Sequence, residues 1–85
     1  MFFVYIIECA DETLYTGITT DIQRRFKEHS SGKGAAYTSA KKVKRVLYSE
    51  QYLTRSQALK REAEIKRWSR DDKLDLIKQN AYRRH

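Results

Sequence analysis

The first nineteen residues leave this chain few folds to choose from. Phe2–Cys9 (FFVYIIEC) is rich in aromatic and β-branched residues, and Leu14–Ile18 returns to the same character, with Ala10-Asp11-Glu12 as a polar break between them. Two such runs across a short break predict a β-hairpin. Loop length then decides what the hairpin displays, because a one-residue shift in register turns every side chain to the other face. With a three-residue loop, Cys9 faces Thr13, Ile7 faces Tyr15 and Tyr5 faces Gly17, so Tyr5 and Tyr15 share a face. A two-residue loop without a bulge separates them.

Thr20 followed by Gln23 has the capping-box pattern and starts a helix running from about Asp21 to Ser30. The segment SSGKGAAYTSAKK is a glycine-bearing basic loop with room for a short helical turn. Val46 to Tyr52 reads as a third strand. Thr54 with Gln57 caps a second helix through about Trp68, and Ser69 with Asp72 caps a third through about Gln79, ahead of the basic end YRRH. The order β-β-α-β-α-α predicts an α+β fold, a small three-stranded antiparallel sheet flanked by helices. The expected organisation is one domain over residues 1–80 with a basic tail at 81–85.

With 85 residues there is room for one modest core, burying only about 60–65% of the surface exposed by the unfolded chain. The absence of proline and a total of three glycines argue against a linker and a second domain. Cys9 is the one cysteine, and with two histidines it cannot build a zinc or disulfide framework. A lone thiol suits a reducing cytoplasm. The apolar MFFVYII meets Glu8 too soon for a signal or a membrane span, so a cytoplasmic location without a membrane partner is expected. Eighteen Lys and Arg against eleven acids give a net charge of +7, which favours a polyanionic partner. The plainer alternative is a basic surface that only aids solubility.

Two helices carry charges on their apolar faces. Successive helical residues turn by about 100°, which places Ile22, Arg25, Phe26 and His29 in one stripe and Arg24, Lys27 and Glu28 on the outer face. An arginine snorkelling at the core edge beside a satisfied histidine explains this stripe structurally. On the second helix Ala58, Leu59 and Ile65 form the apolar stripe with Glu62 between them, Lys66 lies at its edge, and Glu64 points to solvent. A carboxylate on a buried face costs several kcal/mol unless a cation or metal compensates it, and pairing with Lys66 or Arg25 is the structural explanation. Two phenols, a guanidinium, an imidazole and a carboxylate together make a phosphodiester-cleaving set: a metal ligand, a charge clamp and a general base.

VYI at 4–6, YTG at 15–17, Arg25 ten residues after Tyr15, His29 four further on, and ALKRE ending at Glu62 resemble the GIY-YIG nuclease superfamily. The longer stretches VYIIECADETLYTGITTDIQRRFKEH, GKGAAYT and ALKREAEIKRW are similar to its small bacterial stand-alone members. Thr16 stands where isoleucine names the second motif. The resemblance implies a three-stranded antiparallel sheet flanked by helices and a nuclease centre with a single divalent ion, Mg²⁺ or Mn²⁺. Carried over by position, it implies that Tyr5 and Tyr15 are the motif tyrosines, one of which activates the attacking water. Arg25 then stabilises the phosphate, His29 handles a proton or binds phosphate, Glu62 holds the metal, and Gly17 allows a close turn beside the site.

The expected function is therefore a metal-dependent DNA endonuclease or nickase in repair or recombination, with a protein partner that supplies specificity. The alternatives are a nucleic-acid-binding module that keeps the scaffold without cleaving, and an interaction domain that activates a partner nuclease. Lys33, Lys41, Lys42, Lys44, Arg45, Arg83 and Arg84, with Lys66 beside the carboxylate, are expected to hold the phosphate backbone without reading bases.

Overall fold

A computed structural model describes residues 1–32 and 42–83, with side chains through Asn80. The elements are β1 (Phe2–Cys9), β2 (Leu14–Thr19), α1 (Ile22–Ser30), β3 (Val43–Tyr52), α2 (Arg55–Lys66) and α3 (Arg70–Arg83). They form an α+β fold whose antiparallel sheet has the order β2-β1-β3. The helical turn expected after Gly32 lies outside the described residues. No described helix is long and apolar enough to cross a membrane.

The hairpin closes through a three-residue loop. The Cys9 amide donates to the Thr13 carbonyl at 2.9 Å and the Glu12 amide to the Cys9 carbonyl at 2.9 Å. Glu12, the third loop residue, takes the left-handed φ of 70° that such a loop needs. Its carbonyl accepts a hydrogen bond from the Arg70 guanidinium, which ties α3 to the turn. The resulting register pairs Tyr5 with Gly17 and Ile7 with Tyr15.

That register sorts the sheet into two faces. Val4 and Ile6 face α2 and α3, where they pack with Tyr48, Ala58 and Ile65 and with the partly buried Leu14, Ile18, Trp68, Leu76 and Ile77. Tyr5 and Ile7 face the other way, toward α1. β1, the central strand, is buried from Val4 to Ile7, as expected of a strand covered on both faces.

Several boundaries differ from the sequence expectation for local reasons. The cap of α1 is Asp21, not Thr20: Asp21 is extended, and its carboxylate accepts the Arg24 amide at 3.1 Å. Thr20 is exposed. The Thr54–Gln57 capping box forms as read, with both reciprocal bonds present, and Ser69 caps α3 through the Asp72 amide at 3.2 Å. α2 ends at Lys66 rather than Trp68, α3 continues past Gln79 to Arg83, and β2 runs one residue further, to Thr19.

β3 begins at Val43, three residues before the expected start. Register irregularities on either side of the Ile7–Glu8 pair let β1 follow it out to Val43. Lys44 and Arg45 therefore belong to a strand, not to the basic loop. Leu59 is also corrected: it is 37% exposed, while Ala58 and Ile65 are fully buried. The inward line of α2 thus runs through 58, 62 and 65, with Glu62 at its centre.

Candidate active site

The site is assembled around Tyr5. Its ring lies over Gly17, so close that a Cβ added there would stand 2.6 Å from the Tyr5 Cζ, nearer still to the hydroxyl, and 3.2 Å from Tyr15 Cε1. Gly17 is needed for this close approach, since the described glycine with a left-handed φ is Gly32. It is not a bend out of the strand, because it lies inside β2. Gly17 sits on an edge strand, so the Tyr5 hydroxyl ends near the rim of the sheet.

α1 delivers two groups to that hydroxyl. His29 is 1% exposed, and its Nε2 lies 3.0 Å from the Tyr5 hydroxyl. Tyr15 completes the group, with ring centroids 6.4 Å from Tyr5 and 5.3 Å from His29. Arg25, one turn before His29, is near enough for its charge to act on the Tyr5 hydroxyl. Burial and then the Arg25 charge push the His29 pKa below its ordinary value, with Glu28 opposing. The imidazole is therefore neutral at pH 7, and in the tautomer with its proton on Nδ1 the Nε2 accepts from the Tyr5 hydroxyl. Burial raises the Tyr5 pKa, and the neighbouring Arg25 guanidinium pulls against it.

Glu28, assigned to the outer face by periodicity, is half-buried, and its Oε1 lies 3.2 Å from the Arg25 guanidinium. Arg24 and Lys27 are exposed as expected. The three-residue spacing of Arg25 and Glu28 is the signal that locates this pair.

Glu62 comes from α2, which packs on the opposite sheet face. Its side chain is only 15% exposed, and its Oε2 lies 3.5 Å from the Lys66 amine. It is still close enough to the Tyr5 hydroxyl for its charge to raise that pKa. Glu64 is exposed, as expected, and pairs there with Arg61. Among the described residues no group of three or more His, Cys, Asp or Glu gathers to hold an ion. A lone carboxylate such as Glu62 still suits Mg²⁺, which keeps several waters and takes further oxygens from substrate phosphates.

The expected basic surface is only partly gathered. Arg45 Nε lies 2.8 Å from Glu8 Oε1 and Lys44 Nζ 4.0 Å from it. Lys42 is exposed with a left-handed φ of 57°. Lys33, Lys41, Arg84 and the Arg83 side chain lie outside the description.

A second polar cluster escaped the sequence reading. Glu50 accepts from Arg61 Nε and Nη2 at 2.9 Å each, from the Tyr52 hydroxyl at 2.6 Å and from the Tyr48 hydroxyl. Arg61 also stacks on Trp68, 5.0 Å from the ring centroid. Burial and the Glu50 hydrogen bond push the Tyr52 pKa up to about 12. The alternation Tyr48-Glu50-Tyr52 on one strand face was the available signal.

A profile of the GIY-YIG catalytic domain matches residues 1–75. The chain is 51% identical over 82 residues to a UPF0213 protein of Syntrophus aciditrophicus, covering 95% of this chain and 94% of that one. It is 48% identical over 79 residues to a UPF0213 protein of Haloquadratum walsbyi, covering 93% and 89%. The solution NMR structure of a UPF0213 protein from Bacillus halodurans superposes with a TM-score of 0.60 at 41% identity, covering 93% of this chain and 85% of that one. GIY-YIG domains are nuclease domains that act on nucleic acid and generally use a divalent metal. With its fold, its paired tyrosines and this match over most of its length, the chain belongs to the GIY-YIG catalytic domain family.

Proposed function

We propose that this chain is an Mg²⁺- or Mn²⁺-dependent endonuclease that nicks DNA, working in the cytoplasm in repair or recombination, with a protein partner that supplies specificity. The reading places the activity in a single domain over residues 1–80, with 81–85 as a basic tail. The observation that carries it is the Tyr5 hydroxyl 3.0 Å from His29 Nε2, with the Arg25 guanidinium and the Glu62 carboxylate within electrostatic reach.

In this reading Tyr5 takes a proton from the attacking water at its hydroxyl oxygen while passing its own proton to His29 Nε2. The 3.0 Å bond and the neutral imidazole suit that transfer. No free phenolate is then needed from a tyrosine whose pKa is already raised. Arg25 meets the charge that develops on the phosphate, where a fixed donor is worth most. Glu62 would hold the divalent ion, which supplies positive charge to the phosphoryl oxygens and the leaving group. The net charge of +7 draws DNA to the surface without sequence preference. Exposed Lys66 and Lys42, with Lys33, Lys41, Lys44, Arg45, Arg83 and Arg84, would hold the backbone.

The test is nicking of supercoiled plasmid with Mg²⁺ or Mn²⁺. The parent should nick and Glu62→Ala should not. Arg25→Ala should lose about 10²–10³-fold in rate with DNA binding largely kept, and the exposed Arg24→Ala should remain near the parent. A parent that binds DNA but never nicks it replaces this reading with the binding module.

A further inference from the structure

Both charged groups assigned to the chemistry are already ion-paired within their own helices. Arg25 Nη1 lies 3.2 Å from Glu28 Oε1, with the two side chains 29% and 40% exposed. Glu62 Oε2 lies 3.5 Å from Lys66 Nζ. We propose that Glu28 is the resting counter-ion of Arg25, displaced by an incoming phosphodiester, and that it thereby sets the affinity of the site for nucleic acid. The role of Arg25 in this inference rests on the nuclease reading.

Arg61 shows by contrast what a fixed arginine looks like. Its guanidinium takes Glu50 through two nitrogens, also pairs with Glu64 and stacks on Trp68. Its Glu50 partner is only 13% exposed, so exchange would strand a shielded carboxylate. Among the described residues Arg25 bonds one carboxylate, that of Glu28, whose side chain is 40% exposed. Such a pair is worth little and is readily exchanged. A phosphate offers the same guanidinium two oxygens and leaves Glu28 to be solvated.

The charges also balance. Arg25 is opposed by Glu28 and Lys66 by Glu62, so within these two pairs the charges cancel although the chain carries +7. A phosphodiester is steered to the molecule but gains little at the site until one acid is neutralised. Glu62 would be neutralised by holding a divalent ion, which would release Lys66 and couple ion and nucleic-acid binding positively. Glu28 is the second acid, and removing its charge relaxes the requirement for the ion. Glu28 acts through Arg25 and is a positioning residue, not a catalytic one.

The test is binding without cleavage: fluorescence anisotropy of a short labelled duplex in EDTA at low salt, using the parent, Glu28→Gln and Asp75→Asn. Asp75 is exposed on α3, and its substitution removes one acid just as Glu28→Gln does. Glu28→Gln should bind about three- to tenfold tighter, the effect of deleting one carboxylate charge beside the contact. Asp75→Asn should tighten less than about twofold, as a screened remote charge. In an Arg25→Gln background the Glu28→Gln gain should vanish, and in the parent background the Arg25 Nε–H resonance should shift on adding duplex. Equal tightening by Glu28→Gln and Asp75→Asn, no tightening, or a gain that survives Arg25→Gln would overturn the proposal. A parent that fails to nick plasmid refutes the nuclease reading alone, because none of these measurements depends on cleavage.

Discussion

Replacing Gly17 with alanine should damage the site directly through Tyr5. The added Cβ would stand 2.6 Å from the Tyr5 Cζ, against the 3.4 Å at which ordinary contact begins. Tyr5 is 2% exposed and held by His29 at 3.0 Å, with Tyr15 and His29 rings flanking it. It has no open side to swing into. Overpacking of this kind costs about 1–3 kcal/mol, and loosening the Tyr5–His29 bond adds about 0.5–1.5 kcal/mol. Alanine returns about 0.5–1 kcal/mol through the backbone entropy that glycine loses in a strand. The net loss centres on about 2 kcal/mol, or about 8–16 °C in Tm for a domain of this size. Urea unfolding followed by Trp68, the one tryptophan, measures it. In a Tyr5→Leu background, with no ring over Gly17, the same substitution should cost less than about 1 kcal/mol. An equal cost in both backgrounds would refute the close-approach explanation.

Three further outcomes follow from the same geometry. Thr16 is 3% exposed, and its hydroxyl has no hydrogen-bond partner among the described residues. Thr16→Val should therefore raise the urea midpoint by about 1–2 kcal/mol of stability, and a loss would show that the hydroxyl is satisfied. Glu50→Gln should cost about 2–4 kcal/mol because it strips the charge from Arg61 and two tyrosine hydroxyls. Burial alone would raise the Glu50 pKa, but Arg61 and the tyrosines hold it below 4.5. Its contribution is thus fully present above about pH 4.5 and lost as pH falls through the folded value, a loss that Glu50→Gln should not show. His29 is likewise held below 6.5, so the unfolded chain takes up the proton first. Stability should decline as pH falls below about 6.5, with the loss complete below the folded value. Nicking should fall lower, as pH passes the folded value and Nε2 ceases to accept, and an NMR midpoint for His29 above 6.5 would contradict both.

Much of this arrangement was legible in local sequence. Turn length and the two-residue period of a strand place Tyr5 opposite Gly17, and so set Tyr5 and Tyr15 on one face. The helical period puts His29 inward on α1 and Glu62 between the buried Ala58 and Ile65 on α2. These are properties of a backbone with a fixed repeat, which a one-dimensional pattern records. The start of β3 was hidden because Lys44 and Arg45 look like loop residues, and only pairing with β1 and the Glu8 carboxylate gives them a strand. Periodicity sent Glu28 outward, because it counts angle about the axis and ignores that long side chains bend toward opposite charge. It likewise could not show Glu50 drawing Arg61, Tyr48 and Tyr52 together, or Glu62 acting on Tyr5 from a helix on the other sheet face. Local repeats determine which way a residue points. Electrostatic reach and steric fit depend on distances through space, and those exist only once the helices have packed on the sheet.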